Sequence, residues 1–346
     1  MIDSGQLDID IAWDGELVRR VRIASSRPLA SRVLIGRSVM EALALVPMLF
    51  SLCGRAQSLC ARVAASVLEH DEEIDYADAH AALAAEMAFE HLWRLWIDWP
   101  AALGLAPDRP ALVAAAAALR TCSTRSNALA AAAVVGGALE RIVAHDAPAL
   151  LGALERHELR ASIKNRVKPL PYIALADLRL GFPIGLADGF AQTPTWYDAP
   201  AETGAVIAYA HDARVADLQQ DGWEIGARLM ARVVALEHCL SVLRGASPPE
   251  RWIDAQALDA GHALARVETA RGMLLHRLRL AEGRVAEYTI VAPTEWNFHP
   301  RGALAAALEG CTVRDASALR NHVEAWVLAL DPCVERRISI RPVARA

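Results

Sequence analysis

Cysteine is scarce in this chain, and its spacing is unusual. Six cysteines in 346 residues are too few for a disulfide framework. No two of them form a C-x-x-C pair, so the usual signature of zinc ribbons and thioredoxin-like sites is missing. We therefore expect free thiols. They are Cys53, Cys60, Cys122, Cys239, Cys311 and Cys333.

The chain also lacks an excess of positive charge and long apolar runs. The 36 Lys+Arg against 41 Asp+Glu give a net charge of −5, which disfavours a broad basic face for nucleic acid. The Ala-rich stretches 111–119 and 128–139 stop short of the roughly 18 to 20 apolar residues of a membrane span, so we expect buried helices and no membrane partner. The start, Met1-Ile2-Asp3-Ser4, carries no basic leader, and we expect a cytoplasmic protein.

What the chain does have is apolar material, 54% of its residues, which excludes a disordered chain. No Pro/Gly/Ser-rich linker divides it, so we expect one domain over 1–346. Apolar and polar residues alternate on both sides of Asp14-Gly15 and of Glu282-Gly283, which predicts β-hairpins at 6–24 and 271–291.

Helix formers dominate the middle of the chain, 37–245, and a final helix is predicted at 315–330. The resulting fold class is α+β, a predominantly α-helical domain with two β-hairpins. Between 169 and 200 glycine and proline accumulate, which predicts a long irregular segment of unassigned role. Within the middle the predicted helices are 38–52, with a break at Pro47, then 55–69, 77–99, 111–119, 127–143, 147–158 and 225–243.

Three short motifs follow one another along the chain. They are Leu52-Cys53-Gly54-Arg55-Ala56-Gln57-Ser58-Leu59-Cys60, Glu268-Thr269-Ala270-Arg271-Gly272-Met273-Leu274-Leu275-His276 leading to Pro293-Thr294-Glu295-Trp296-Asn297, and Asp331-Pro332-Cys333. In this order they resemble the large subunit of nickel-iron hydrogenases, with its R-x-C-G-x-C-x-x-x-H, E-x-P-R-G-x-L-x-H, P-T-x-W-N and D-P-C-x-x-C motifs. Both ends of the chain match, which makes chance agreement improbable, and the resemblance implies that family's fold.

The departures from that pattern bear on function. The resemblance places Cys53 and Cys333 at the terminal nickel positions, but Ala56 and Arg336 stand where the bridging thiolates belong. Alanine offers no donor and a guanidinium repels a cation, so we expect no dinuclear centre and no nickel. No histidine follows Cys333, and the cleavable extension has no counterpart, so metal-gated proteolysis is not expected.

This pattern is similar to the HupK/HoxV group of hydrogenase maturation proteins. The resemblance implies a non-catalytic scaffold that holds the Fe(CN)2(CO) fragment transiently. It also implies two kinds of partner, HypC/HypD-type maturation proteins that supply the fragment and the apo large subunit that receives it. A low-spin iron with cyanide and carbonyl ligands is soft enough to favour thiolates, and one or two suffice for a transient hold.

The resemblance also suggests roles for the remaining motif residues. Arg271 would donate to cyanide nitrogens, with a surface arginine as the plainer alternative. Thr294 would hydrogen-bond a cyanide, and His276 would orient its neighbours more readily than bind metal. Cys60, in place of the family's histidine, could be a third metal ligand, a redox partner or a core thiol. Glu295 would only cap local backbone.

Two other functions stay open at this point. A catalytic hydrogenase would need nickel, and a structural or regulatory pseudo-subunit would bind no iron. Retention of both Cys53 and Cys333 argues against the second. A short basic cluster is most simply a solvated face, with docking to an acidic partner as the alternative. It consists of Arg160, Lys164, Arg166 and Lys168.

Overall fold

The structure is a computed structural model that describes residues 5–50, 53–69, 74–156, 167–171, 189–249, 252–259 and 261–345. Helices and strands alternate in blocks along the chain. In order they are β1 Gln6–Trp13, β2 Val18–Ser25, α1 Val39–Leu49, α2 Gly54–Glu69, α3 Tyr76–Trp93, α4 Trp99–Ala102, α5 Arg109–Thr121, α6 Ala128–Arg141, α7 Ala147–Arg156, β3 Lys168–Pro169, β4 Ala201–Glu202, α8 Ala205–Ala208, α9 Ala213–Gln220, α10 Glu224–Leu243, β5 Ile253–Asp259, β6 His262–Thr269, β7 Gly272–Ala281, β8 Arg284–Val291, α11 Pro293–Asn297, α12 Ala303–Leu308, α13 Ala316–Leu330 and β9 Glu335–Pro342.

The N-terminal strands belong to a three-stranded sheet in the order β2-β1-β9. β1 and β2 are antiparallel, and their alternation buries Leu7, Ile9 and Ile11 on one face. The third strand, β9, runs parallel to β1 and was missed by the sequence analysis. Its signal was the alternation of Ile338 and Ile340 with polar residues. This sheet joins the two ends of the chain directly after Cys333.

The predicted C-terminal hairpin is one half of a larger sheet. β7 and β8 pair around a turn in which Glu282 and Gly283 both have positive φ, 52° and 69°, as a tight two-residue hairpin turn requires. Strands β5 and β6 were not predicted, and they extend the sheet to the order β5-β6-β7-β8. Helix α2 packs against β6 and β7, which are buried along most of their length. The site motifs at 53–60 and 268–276 therefore share one interface.

Helix α10 is the centre of the helical body and packs against α3, α6 and α13. The predicted break after Val143 is wrong, because a π-helical turn, Ile142–Asp146, joins α6 to α7 without interruption. The merged helix, Arg125–Arg156, is long and apolar enough to cross a membrane by length and composition, which corrects the expectation from its Ala-rich stretch. Since α6 packs against α10, this single helix is weak evidence of a span.

Two further expectations need correction or restriction. Pro47 was expected to break the first helix, but it lies inside α1, which begins with a capping box between Ser38 and Glu41. Of the segment 169–200, residues 169–171 and 189–200 are described, and it begins with Pro169, the last residue of β3, which pairs in parallel with β4. Of the predicted basic cluster, the residues 160, 164 and 166 lie outside the described residues, and Lys168 is exposed at the start of β3.

Candidate metal-binding site

The two cysteines that the motifs single out lie within electrostatic reach of each other. Cys53 immediately precedes α2, and Cys333 follows α13 by three residues, so the fold joins positions 280 residues apart in sequence. Both are partly exposed free thiols. Burial and, to a smaller extent, the charge of the nearby Cys333 thiol together raise the pKa of Cys53 to about 12. Cys53 is therefore protonated at neutral pH until something binds it.

A neutral hydrogen-bond chain supports Cys53 from behind. Gln57, one helical turn later, directs Nε2 at the Cys53 Sγ at 3.7 Å. Gln57 Oε1 lies 2.9 Å from His276 Nε2, and His276 Nδ1 lies 2.9 Å from the Tyr288 hydroxyl. Burial lowers the pKa of His276 to about 3, so its imidazole is neutral. With both ring nitrogens engaged, His276 has the geometry of an orienting group and is not aimed at the sulfurs.

A buried carboxylate fixes the start of α2, where Cys53 stands. Glu86 on α3 accepts from the backbone amides of Arg55 and Ala56 at 2.8 Å and 3.0 Å, which satisfies free donors of the helix N-terminus. Burial raises the pKa of Glu86 to about 7. Ala56 is fully buried, and Arg336, the other residue in place of a bridging thiolate, is exposed on β9. Neither supplies a ligand.

Cys60 lies in the hydrophobic core. Its thiol stands beside the backbone of His276, and the Tyr288 side chain is within electrostatic reach. Burial raises the pKa of the Cys60 thiol well above its ordinary value. Among the three roles that the sequence left open, this setting favours a core thiol. Cys122 and Cys239 are likewise buried.

Cys333 is held by α11. The Thr294 hydroxyl donates to the Cys333 Sγ at 3.1 Å and accepts from the Cys333 backbone amide at 3.2 Å. The expectation that Glu295 only caps local backbone is wrong, because its carboxylate pairs with Arg27 at 3.3 Å. Thr294 therefore orients both the backbone and the sulfur of Cys333.

Charged groups converge on Asp331, two residues before Cys333. Its carboxylate lies 2.6 Å from Arg94, 3.0 Å from Arg232 and 3.2 Å from Arg271. Burial alone would raise the pKa of Asp331, but Arg271, Arg94 and Arg232 hold it far below its ordinary value. Asp331 adopts a left-handed backbone, φ 55°, and ends α13 there, so the cluster fixes the direction in which the chain turns towards Cys333.

Arg271 is buried, which rules out the plain surface arginine considered above. Its Nη2 pairs with Glu90 at 2.7 Å and its Nε with Asp331, so two carboxylates fix the plane of the guanidinium. The positive charge of Arg271 lowers the pKa of the Cys53 thiol and so opposes the effect of burial. The two thiols, Arg271 and Thr294 thus form one site.

Several residues of this site escaped the sequence analysis. Gln57 could have been found from its i+4 spacing to Cys53 on α2. Arg27, Arg94 and Arg232 gave no signal, because their partners are distant in sequence. Within the described ranges, no group of three or more His, Cys, Asp or Glu side chains could hold a metal ion. The donors that the motifs single out are the two thiols of Cys53 and Cys333, with Arg271 within electrostatic reach of both.

Comparison with known proteins identifies the family. A hydrogenase expression/formation protein HupK from Rhizobium leguminosarum bv. viciae is 31% identical over 100% of this chain and 99% of its own length. The corresponding protein HoxV from Cupriavidus necator is 32% identical over 90% of this chain and 91% of its own. The family model for nickel-dependent hydrogenase matches residues 235–335.

Solved structures agree on the fold. The Ni-Fe-Se hydrogenase from D. vulgaris Hildenborough superposes with a TM-score of 0.65 at 14% identity, covering 93% of this chain and 95% of that one. A second, from Desulfomicrobium baculatum, gives 0.63 at 15% identity, over 93% and 95%. The expected likeness to a hydrogenase large subunit is therefore correct at the level of fold. From the two full-length relatives, the chain belongs to the HupK/HoxV family of hydrogenase expression/formation proteins.

Proposed function

We propose that this protein serves hydrogenase maturation as a non-catalytic carrier, holding an Fe(CN)2(CO) fragment between Cys53 and Cys333 and delivering it to the apo large subunit. The names of the full-length relatives support a role in hydrogenase formation. The observation that carries the cargo assignment is that two thiols 280 residues apart in sequence, Cys53 and Cys333, lie within electrostatic reach of Arg271. HypC/HypD-type proteins are the proposed donors of the fragment.

The two thiols suit a cargo that must arrive and leave. Thiolates are the ligands that a soft, low-spin iron prefers, and binding drives the thiol protons into solvent. Since burial and Cys333 raise the pKa of Cys53 to about 12, the empty site returns to the thiol form after release. Two protein donors hold the iron less firmly than four would, and Ala56 and Arg336 give no bridge to a second metal.

Arg271 and Thr294 would recognise the diatomic ligands. Cyanide nitrogens carry partial negative charge and accept hydrogen bonds, and a guanidinium offers several donors without losing its own charge. Glu90 and Asp331 fix the Arg271 plane, so its remaining N–H groups are preorganised. The Thr294 hydroxyl donates to the Cys333 sulfur in this structure. Once that sulfur coordinates iron, the hydroxyl would donate to a cyanide ligand instead.

Infrared spectroscopy tests this directly. Protein purified without oxygen from a host with active hydrogenase maturation should show CN and CO stretching bands. Cys53→Ala and Cys333→Ala should abolish them, whereas Cys311→Ala, which removes another partly exposed thiol, should leave them unchanged. A wild-type protein without such bands would favour a non-metal pseudo-subunit. Stoichiometric nickel with hydrogen uptake would instead reveal a catalytic subunit.

A further inference from the structure

A second guanidinium, that of Arg27, is linked to the cysteine site through Glu295, the neighbour in sequence of Thr294, which donates to the Cys333 sulfur. Arg27 lies in the loop after β2, and its side chain is 16% exposed. Burial lowers its pKa, but Cys333, Glu295 and Cys53 together raise it more, so Arg27 is within electrostatic reach of both sulfurs. Arg27 is not among the three arginines that pair with Asp331, which are Arg94, Arg232 and Arg271.

The ion pair of Arg27 is loose. Its Nη1 lies 3.3 Å and 3.4 Å from the two Glu295 carboxylate oxygens, whereas Arg271 approaches Glu90 to 2.7 Å. Charge-assisted bonds usually measure about 2.7 to 2.9 Å. Both contacts come from one nitrogen, and among the described residues Nε and Nη2 of Arg27 make no hydrogen bond.

The surroundings leave the guanidinium room to move. It stands 5.8 Å from the centroid of the Phe50 ring, which supports its flat face. A cavity of about 50 Å³ adjoins the pair and is lined by Arg27, Phe50, Gln192 and Glu295 among others. Glu295 is next in sequence to Thr294, so the carboxylate that restrains Arg27 is fixed to the residue that holds Cys333.

Charge balance gives Arg27 a task in the loaded site. An iron(II) with two cyanides and one carbonyl is neutral, so two coordinating thiolates leave the loaded site with excess negative charge. Arg271 is already matched by Glu90 and Asp331. A buried charge without a counter-ion is costly. Compared with Arg94, Arg232 and Arg271, Arg27 makes the longest contact to its carboxylate partner.

We propose that Arg27 is a cargo-binding residue that exchanges partners: in the loaded protein its guanidinium turns from Glu295 to the cyanide nitrogens and thiolates, and Glu295 competes for it and promotes release. This inference rests on the carrier function and adds to it a residue that controls retention. The two members of the pair then act in opposite directions. Removing Arg27 weakens the hold, and neutralising Glu295 strengthens it.

The test follows the CN bands and their loss. Protein loaded in the cell is incubated without oxygen with excess dithiothreitol, a competing dithiol, and band intensity is followed with time. Arg27→Gln should shift the CN stretching frequencies and speed release about tenfold, the effect of one lost charge-assisted hydrogen bond. Glu295→Gln should slow release. Arg27→Lys keeps the positive charge but lacks the planar set of N–H donors, so it should retain the iron fragment better than Arg27→Gln but less well than the wild type.

The outcomes separate the two proposals. If the wild type carries no CN and CO bands, the carrier function and the role of Arg27 both fall. If the wild type has bands, and Arg27→Gln and Glu295→Gln leave frequencies and release times unchanged, only the role of Arg27 falls. Should Arg27→Gln not fold, as judged by circular dichroism, Glu295→Gln decides alone: slower release supports the exchange, and unchanged or faster release overturns it.

Discussion

Cys53 and Cys333 meet at one site but are held by different kinds of interaction. Behind Cys53 stands a neutral chain through Gln57, His276 and Tyr288, in which each group satisfies the next. Behind Cys333 stands a charged cluster, in which the carboxylate of Asp331 gathers three arginines. The neutral side depends on hydrogen-bond geometry, and the charged side depends on each ion keeping its counter-ion.

This contrast predicts which of the two networks tolerates a substitution better. A neutral donor or acceptor left alone in the interior costs about 1 to 3 kcal/mol, whereas a buried ion that loses its partner costs about 3 to 5 kcal/mol. A substitution in the Asp331 cluster should therefore lower the free energy of unfolding more than one in the chain through Gln57, His276 and Tyr288. Variants on each side can be ranked by this argument.

The largest effect is expected from Asp331→Asn. The amide keeps the shape but removes the charge, so Arg94, Arg232 and Arg271 are left buried with too few counter-ions. We expect the free energy of unfolding to fall by about 3 to 5 kcal/mol in urea. Asp217→Asn, on the exposed face of α9, is the control and should change it by less than about 0.5 kcal/mol. Equal effects of the two variants would contradict the charged-cluster argument.

Much of the fold follows from local patterns. Alternation and Asp-Gly or Glu-Gly turns predicted the strands at both hairpins, and most helices were placed within a few residues. Strand β9 and the junction at Ile142–Asp146 were missed, since a parallel partner 329 residues away and a π-helical turn leave weak signals in the sequence. Family motifs pointed to Cys53, Cys333, Arg271 and Thr294 as one site.

What surrounds these residues could not be read from sequence. Glu90 lies on α3, Arg94 directly follows α3, and Arg232 lies on α10, all at positions where charged residues are ordinary. The packing of these helices brings Arg94 and Arg232 to Asp331 and Glu90 to Arg271. Arg27 stands in a loop with no motif. Glu295 was read as a local cap because its partner is 268 residues away.

A smaller effect is expected on the neutral side from His276→Phe. The ring keeps its volume but loses both nitrogens, so Gln57 Oε1 and the Tyr288 hydroxyl lose a buried partner, at a cost of about 2 kcal/mol in the free energy of unfolding. Alkylation of Cys53 should change in rate, because Gln57 is no longer fixed, while that of Cys333 should not. His211→Phe, at an exposed position, is the control.

The same variant should alter the response to acid. In the folded protein burial lowers the pKa of His276 to about 3, while in the unfolded chain histidine titrates near 6.5. Between these values only the unfolded chain takes up the proton, so the stability contributed by His276 is lost as pH falls below about 6.5. The loss between pH 7.5 and 5.5 should be about 1.4 kcal/mol smaller in His276→Phe than in the wild type. An unchanged difference would mean that His276 is protonated in the fold.

The smallest effect on stability is expected from Thr294→Val, which keeps the shape of the side chain and removes one hydroxyl. The Cys333 amide and sulfur each lose a partner, and because both atoms are partly exposed, water can replace it. We expect a cost of about 1 kcal/mol, with Thr294→Ser near the wild type. Alkylation followed by mass spectrometry should show slower reaction at Cys333 and no change at Cys53, since the thiolate loses its donor. If His276→Phe and Thr294→Val changed both cysteines alike, the two cysteines would have to be supported by one coupled network, and the separate support of each would not hold.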